Sequence, residues 1–347
     1  SLFENPTIKE QAALVEKLIG EPEIEEDDIK RIKNDNNEKY VLSSAQRRIY
    51  LVHKMHNENT AYNIPLFIKL DKNISTIKLE NAIRLVIENQ GVLRSFYEEA
   101  DGEIAQIVIP RIKFNLEIEK IILSDVEAKQ KEFVRPFNLS NGELLWRAKL
   151  FDIYDSEHLL LAFDFHHSIF DGFSRELFVE LLAKAYNQET LPETEIQYVD
   201  YAAWENNFKN KEVYYMQSKY WKRELESPIP LLDIPTDYSR NNERNYACGT
   251  EYLELNTELI EGVKRLAQAE NTTPFVVLLM AFNILLAKYS SQSDFIVGVP
   301  TIGRTKQKTE DLIGMFVGTL PIRTKYDGGN SVRGLLNQVK NKIIQGL

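Results

Sequence analysis

An apolar run, a tight turn and a helical pattern follow one another in the middle of this chain, and the turn carries two histidines. The run Leu159-Leu160-Leu161-Ala162-Phe163 leads within three residues to His166-His167-Ser168-Ile169-Phe170-Asp171-Gly172. Residues 173–188 then place Phe173, Leu177, Phe178, Leu181, Leu182, Ala185 and Tyr186 near 3.6-residue spacing, the signature of an amphipathic helix. The motif therefore joins a strand to a helix.

Successive side chains leave a strand on opposite faces, so if the strand persists to its end His166 and His167 cannot both address one substrate. One is expected to do chemistry and the other to support it. Asp171, acidic where the helix begins, can cap exposed amides, accept hydrogen bonds from a buried cation, or do both. Gly172 is expected to permit a tight turn that a Cβ would obstruct. A single histidine beside apolar residues is more often a core side chain than a catalyst; the pair, the Asp-Gly and the strand-turn-helix setting favour function here. No metal site is expected, because neighbouring strand histidines diverge and neither Cys-x-x-Cys nor His-Glu-x-x-His occurs.

The whole chain sets wider bounds. At 347 residues it exceeds a typical single core, so two lobes are expected. The formal charge of −10 would on average repel a phosphate backbone and argues against a nucleic-acid partner. Residues 1–40 hold 11 acidic and 6 basic side chains, so half of that deficit lies in a short leader. Cys248 is the only cysteine, which excludes an internal disulfide and fits a reducing cytoplasm. The strongest apolar stretch, 275–287, is interrupted by Asn283 and falls short of the roughly 20 residues that span a bilayer, so no membrane segment is expected.

Periodicity predicts a short helix over 7–19 and a charged, asparagine-rich linker over 21–39, with a domain boundary near Tyr40. Helices over 45–55 and 76–90 and strands at 64–70, 104–109, 114–118 and 144–151 imply a mixed sheet covered by helices. A second lobe is expected from about residue 205, after Tyr198-Val199-Asp200-Tyr201-Ala202-Ala203-Trp204. It carries strands at 251–255 and 295–299, helices at 259–269 and 331–344, and a largely buried helix at 273–289.

Taken together these segments resemble a condensation domain of a nonribosomal peptide synthetase. The likeness rests on the histidine motif, on Ser43-Ser44-Ala45-Gln46-Arg47-Arg48-Ile49-Tyr50 with Tyr62-Asn63-Ile64-Pro65, and on Val92-Leu93-Arg94-Ser95-Phe96. Residues 198–204 and Ile313-Gly314-Met315-Phe316-Val317-Gly318-Thr319-Leu320-Pro321-Ile322-Arg323 extend it into both halves. Leu2-Phe3-Glu4-Asn5-Pro6-Thr7-Ile8 resembles the start of the last helix of a peptidyl carrier domain.

The resemblance implies an α/β (α+β) fold of two lobes, each like chloramphenicol acetyltransferase, in a V arrangement. It implies residues 1–20 as the carrier tail, 21–39 as linker, 40–204 as the N-terminal lobe and 205–347 as a C-terminally truncated second lobe. A full-size domain of this kind is expected to hold on the order of a hundred further residues. The implied reaction is amide formation between a donor peptidyl or aminoacyl thioester and an acceptor aminoacyl thioester, of the subtype that receives an L-configured donor. Phosphopantetheine arrives covalently on the partners, an upstream donor and a downstream acceptor carrier domain, with an adenylation domain as neighbour and the chain a monomer within a multidomain assembly. His167 occupies the catalytic position, as a general base or as a positioning group; an unperturbed imidazole keeps a large basic fraction near neutral pH. His166 is expected to orient the turn, Ser168 to bond locally, and Asp171 to pair with an arginine, for which Arg94 is the candidate.

Two departures from the family pattern stand out. Asn89-Gln90-Gly91 replaces the usual Arg-His-Glu, so salt bridges normally made there are lost, and Gly318 stands where asparagine is common. Two other readings remain open: a related His-x-x-x-Asp acyltransferase using a hydroxyl acceptor or coenzyme A donor, and a catalytically silent carrier-docking module.

Overall fold

A computed structural model of the chain describes residues 28–32, 39–55, 59–100, 102–238, 249–326, 328–329 and 331–346. The expected carrier helix at 7–19 lies outside them, as does most of the expected linker. The chain divides into two compact units, one of Ile29–Tyr214 with Ile302–Gly318, the other of Tyr215–Thr301 with Thr319–Leu347. The break falls ten residues later than the sequence suggests, and residues 302–318 return to the first unit.

The first unit runs β1 (Lys39–Tyr40), α1 (Ser44–Met55), β2 (Asn63–Asp71), α2 (Thr76–Asn89), β3 (Ser95–Ala100), β4 (Glu103–Val108), β5 (Ile118–Ile121), α3 (Val126–Phe133), β6 (Trp146–Ile153), β7 (His158–His166), α4 (Gly172–Tyr186) and α5 (Tyr198–Phe208). One sheet has the order β2-β7-β6-β5 and a smaller one β1-β4-β3. The extended stretch expected at 114–118 begins its ladder only at Ile118.

Strand β7 is the centre of this unit, buried along nearly its whole length. Leu159, Leu161, Phe163 and Phe165 belong to the core that includes Ile83 and Val86 of α2 and Phe178, Leu181 and Leu182 of α4. Leu160 and Ala162, with the opposite parity, pack with Ile121, Phe133, Phe151 and Ile153. An uninterrupted apolar run is what a strand covered on both faces requires. Asp164 and His166 continue the parity of Leu160 and Ala162, so two polar side chains are buried on that face.

The second unit holds α6 (Glu212–Glu224), most of which lies within it, α7 (Thr257–Ala269), α8 (Pro274–Ser290), β8 (Asp294–Thr301), β9 (Gly318–Lys325) and α9 (Val332–Gly346). Thr273 caps α8 and Pro274 opens it, a residue pair suited to a helix start. Val276, Val277 and Met280 of α8 pack with Leu335, Leu336 and Val339 of α9, and Asn283, the polar interruption, donates to Thr324 Oγ1 at 2.9 Å. Only one side of α8 is covered: Phe275, Leu278, Phe282, Leu285 and Tyr289 are exposed, which corrects the expectation of a largely buried helix. Residues 251–255 form no strand and are exposed, because alternation alone cannot hold a strand without a partner. Among the described residues no single helix is long and apolar enough to cross a membrane.

Part of the expected linker is structural. Ile29 is 1% exposed within the core of the first unit, and Ile32 N–H donates to Asp200 Oδ1 at 2.8 Å. Ile29→Ala is expected to cost about 2–4 kcal/mol, the range for emptying a buried aliphatic site. A urea titration checks this; a change under about 0.5 kcal/mol, as for a solvated residue, would show that Ile29 carries no packing.

Candidate active site

Strand β7 ends at His166, opposite Asn63 in the β2 ladder. The main chain beyond it is clamped from several sides. His166 N–H donates to Leu145 O at 2.8 Å, His167 N–H to Tyr62 O at 2.7 Å, and Ile169 N–H to His166 O at 3.0 Å. The Tyr97 hydroxyl reaches Ser168 O at 3.3 Å.

The two histidines occupy different environments. His166 is fully buried, with Nδ1 2.8 Å from Ser168 Oγ and Nε2 3.2 Å from Nδ1 of His53, on α1. Burial, reinforced by the neighbouring His53, His167 and Arg147, pushes its pKa down to about 3. It is a neutral ring with both nitrogens engaged. His167 is half-buried, and its Nδ1 is buried with no hydrogen-bond partner among the described residues. Among the described residues no hydrogen bond to Nε2 is present either. Ser168 is buried and its hydroxyl is committed to His166, an arrangement for local support.

Asp171 both caps and pairs. It is the N-cap of α4: its Oδ1 accepts from Ser174 N–H at 2.8 Å and from the Ser174 hydroxyl at 2.7 Å. Its Oδ2 accepts from Phe316 N–H at 3.1 Å. The cation is Arg304, whose Nη2 lies 3.5 Å from Oδ1, with side-chain exposures of 2% for the arginine and 0% for the aspartate. Arg304 also donates to the carbonyls of Thr309 and Leu312, and its guanidinium lies over Phe316 at 3.9 Å and Phe173 at 4.5 Å.

Arg94 is not that partner. Its guanidinium is consumed by backbone carbonyls, of Ile87 at 3.1 Å, of Pro110 at 3.0 Å and of Ile109, so it fixes the chain after α2. Sequence reasoning missed Arg304 because 133 residues separate it from Asp171, and its only local signal is the Gly303-Arg304 pair that follows β8. Gly303 has φ +68°, and a Cβ there would meet Phe316 O at 1.9 Å; at Gly314 a Cβ would strike the Tyr198 ring at 2.0 Å. Gly303 lets residues 302–318 fold closely on themselves, and Gly314 lets them approach Tyr198 of α5. At Gly172, by contrast, a Cβ would meet no atom within 4 Å, so the turn does not demand glycine for steric reasons.

The Asn89-Gln90-Gly91 departure is filled by neutral bonds. Gln90 donates to Asp311 O at 2.9 Å and accepts from Ile313 N–H at 2.8 Å, while Gly91 N–H donates to Gln197 Oε1 at 2.7 Å. Beside His166, the buried Asp164 accepts from Asn63 Nδ2 at 2.7 Å and lies 3.3 Å from Arg147 Nη1. Burial pushes its carboxyl up to about 6, with Arg147 opposing the shift.

Two consequences are measurable. Asp171→Asn turns an N–H toward at least one of the donors around it and leaves Arg304 without a counter-ion. A loss of about 3–5 kcal/mol in unfolding free energy is expected, the usual cost of breaking a buried pair from one side; unchanged stability with a purely kinetic defect would assign Asp171 to chemistry. The second concerns pH. Between about pH 4 and 6 the folded state retains the Asp164 proton that the unfolded state has released, so this group's contribution falls as pH rises through that window. His166 acts oppositely, since only the unfolded state binds its proton between about pH 3 and 6.5. Asp164→Asn removes the first slope alone, so the unfolding free energy from urea titrations is expected to rise more steeply with pH between about pH 4 and 6 than in the parent, and an unchanged slope would show that Asp164 does not titrate there.

Comparison with known proteins identifies the family and the fold. The Condensation domain family matches residues 36–347. Surfactin synthase subunit 2 of Bacillus subtilis (strain 168) is 37% identical over 99% of this chain, and gramicidin S synthase 2 of Aneurinibacillus migulanus is 33% identical over 99%. The chain spans 9% and 8% of those two relatives' lengths. Among solved structures, the X-domain from teicoplanin biosynthesis superposes with a TM-score of 0.83 at 19% identity, covering 92% of this chain and 72% of that one. The first condensation domain of the CDA synthetase gives 0.70 at 20%, covering 89% and 76%, so the mixed α/β fold is that of these domains. The chain belongs to the condensation domain family of nonribosomal peptide synthetases.

Proposed function

We propose that this chain forms an amide bond between two tethered substrates. The amine of an aminoacyl thioester attacks the carbonyl carbon of a peptidyl or aminoacyl thioester, the C–N bond forms, and the C–S bond breaks. Each substrate arrives on the phosphopantetheine arm of a peptidyl carrier domain, one upstream and one downstream, with an adenylation domain as neighbour and the chain a monomer within the larger assembly. The opening signature with Tyr62-Asn63-Ile64-Pro65 supports an L-configured donor. The single cysteine supports a reducing cytoplasm as the setting.

The observation that carries this reading is the contrast between two adjacent imidazoles. His167 has a clamped main chain and an unengaged Nε2, whereas His166 is sealed and neutral. As the C–N bond forms the attacking nitrogen must shed a proton; His167 Nε2 receives it and passes it to the departing sulfur. Asp171 and Arg304 hold the turn and act on no reacting atom.

A second reading is favoured by one comparison. A teicoplanin X-domain, solved in complex with OxyB, superposes with a TM-score of 0.84 at 20% identity, which supports a docking module that recruits a partner. Loading donor and acceptor carriers and measuring the elongated product by mass spectrometry separates the two. His167→Ala is expected to slow product formation about 10²- to 10⁴-fold, the usual worth of general-base assistance. Equal product from both proteins would remove His167 from the mechanism, and carriers bound without product by the parent would establish docking.

A further inference from the structure

The bonds around His166 determine where its proton sits. Its Nδ1 accepts from the backbone N–H of Ser168 at 3.2 Å, and a backbone N–H can only donate. Nδ1 therefore carries a lone pair and the proton is on Nε2. That Nε2–H points at Nδ1 of His53, 3.2 Å away, with the two rings edge to face at 88° and centroids 4.9 Å apart. His53 Nδ1 must then be the acceptor, which puts the second proton on His53 Nε2, a buried nitrogen with no hydrogen-bond partner among the described residues; the carbonyl of Phe137 favours a proton on this ring. The reverse tautomer of His166 would set N–H against N–H at Ser168 and would turn His53 Nδ1 from acceptor to donor.

His53 lies on α1, 113 residues from His166, and is 4% exposed. Its helix is anchored at its start, where Ser44 N–H donates to Glu205 Oε2 at 2.6 Å and Gln46 bonds Gln106 at 3.0 Å. Tyr62 and Phe137 close the remaining sides of the His166 ring, at centroid distances of 6.4 and 5.8 Å. We propose that His53 is a positioning residue of the condensation site: its acceptor nitrogen fixes the tautomer of His166, which holds the amide and hydroxyl of Ser168 and thereby the backbone that presents His167. The kinetic part of this inference rests on the amide-forming reading above; the tautomer part does not.

The test has two arms on the full chain. With five histidines in the sequence, long-range ¹H–¹⁵N spectra of the imidazoles are assignable by single substitution. His166 and His53 are expected to show a bare Nδ1 and a protonated Nε2; a protonated Nδ1 on either ring overturns the proposal whether or not the chain is active. In the carrier-loaded assay His53→Phe, which keeps a ring and removes the acceptor, is expected to lower kcat about tenfold with KM for the acceptor carrier unchanged. His53→Asn, whose Oδ1 stands where Nδ1 did, is expected to recover most of the loss. A His53→Phe rate equal to the parent's, or an asparagine variant no better than the phenylalanine one, overturns the positioning role. If the parent makes no product, the amide-forming reading fails and the spectra alone decide on the histidine pair; a His53→Phe that does not fold leaves the spectra of the parent as the deciding measurement.

Discussion

The carboxylate of Asp171 is the point through which this site is held. A buried carboxylate costs several kcal/mol unless donors replace its water, and here four arrive: two from Ser174 on its own helix, one from the Phe316 amide, and the Arg304 guanidinium. The first would form in any capped helix, and the second needs the hydroxyl of Ser174. The last two come from residues 302–318, so the strand-turn-helix motif is complete only when a segment from beyond β8 folds back on it. Arg304 is desolvated in turn, which draws its pKa below the usual arginine range, and the carbonyls of Thr309 and Leu312 with the rings of Phe173 and Phe316 replace its hydration.

What was legible in the sequence follows from this arrangement. The strand, turn and α4 were readable because their signals are local: an apolar run, a polar cap and 3.6-residue spacing. The two histidines do occupy different environments, although the strand ends at His166 and the turn rather than strand parity separates them, and the dual role of Asp171 was legible from its place at a helix start. Its partner was not readable. Arg94 looked suitable because it lies in a recognisable signature, yet a guanidinium so close to the end of α2 finds unpaired carbonyls first. The lobe boundary failed for a related reason, since a contiguous division cannot represent a unit whose last 17 residues come from beyond the other unit's first portion.

Asn89-Gln90-Gly91 shows how charge can be exchanged for shape. Gln90 spans Asp311 O and Ile313 N–H, and the missing side chain at Gly91 admits Gln197 Oε1 to its amide, where a Cβ would stand 2.8 Å from that oxygen. Neutral hydrogen bonds avoid most of the desolvation that a buried ion pair must overcome. The same loop that Arg304 ties to Asp171 is thus tied a second time, to the end of α2, without another charge.

The polar face of β7 contributes to keeping His166 neutral. Asp164 sits two residues before His166 on the same face, and a carboxylate bonded to that ring would stabilise an imidazolium. Its Oδ2 turns instead to Asn63 and Arg147, while His166 meets a neutral imidazole and a hydroxyl. Arg147, whose own pKa burial pushes down to about 10, adds positive potential beside a ring already desolvated. Protonating His166 would cost burial energy, the Ser168 amide bond and repulsion from Arg147 together. In the proposed reaction the imidazole left to take a proton is that of His167, because His166 is held neutral first by burial and then by the positive potential around it.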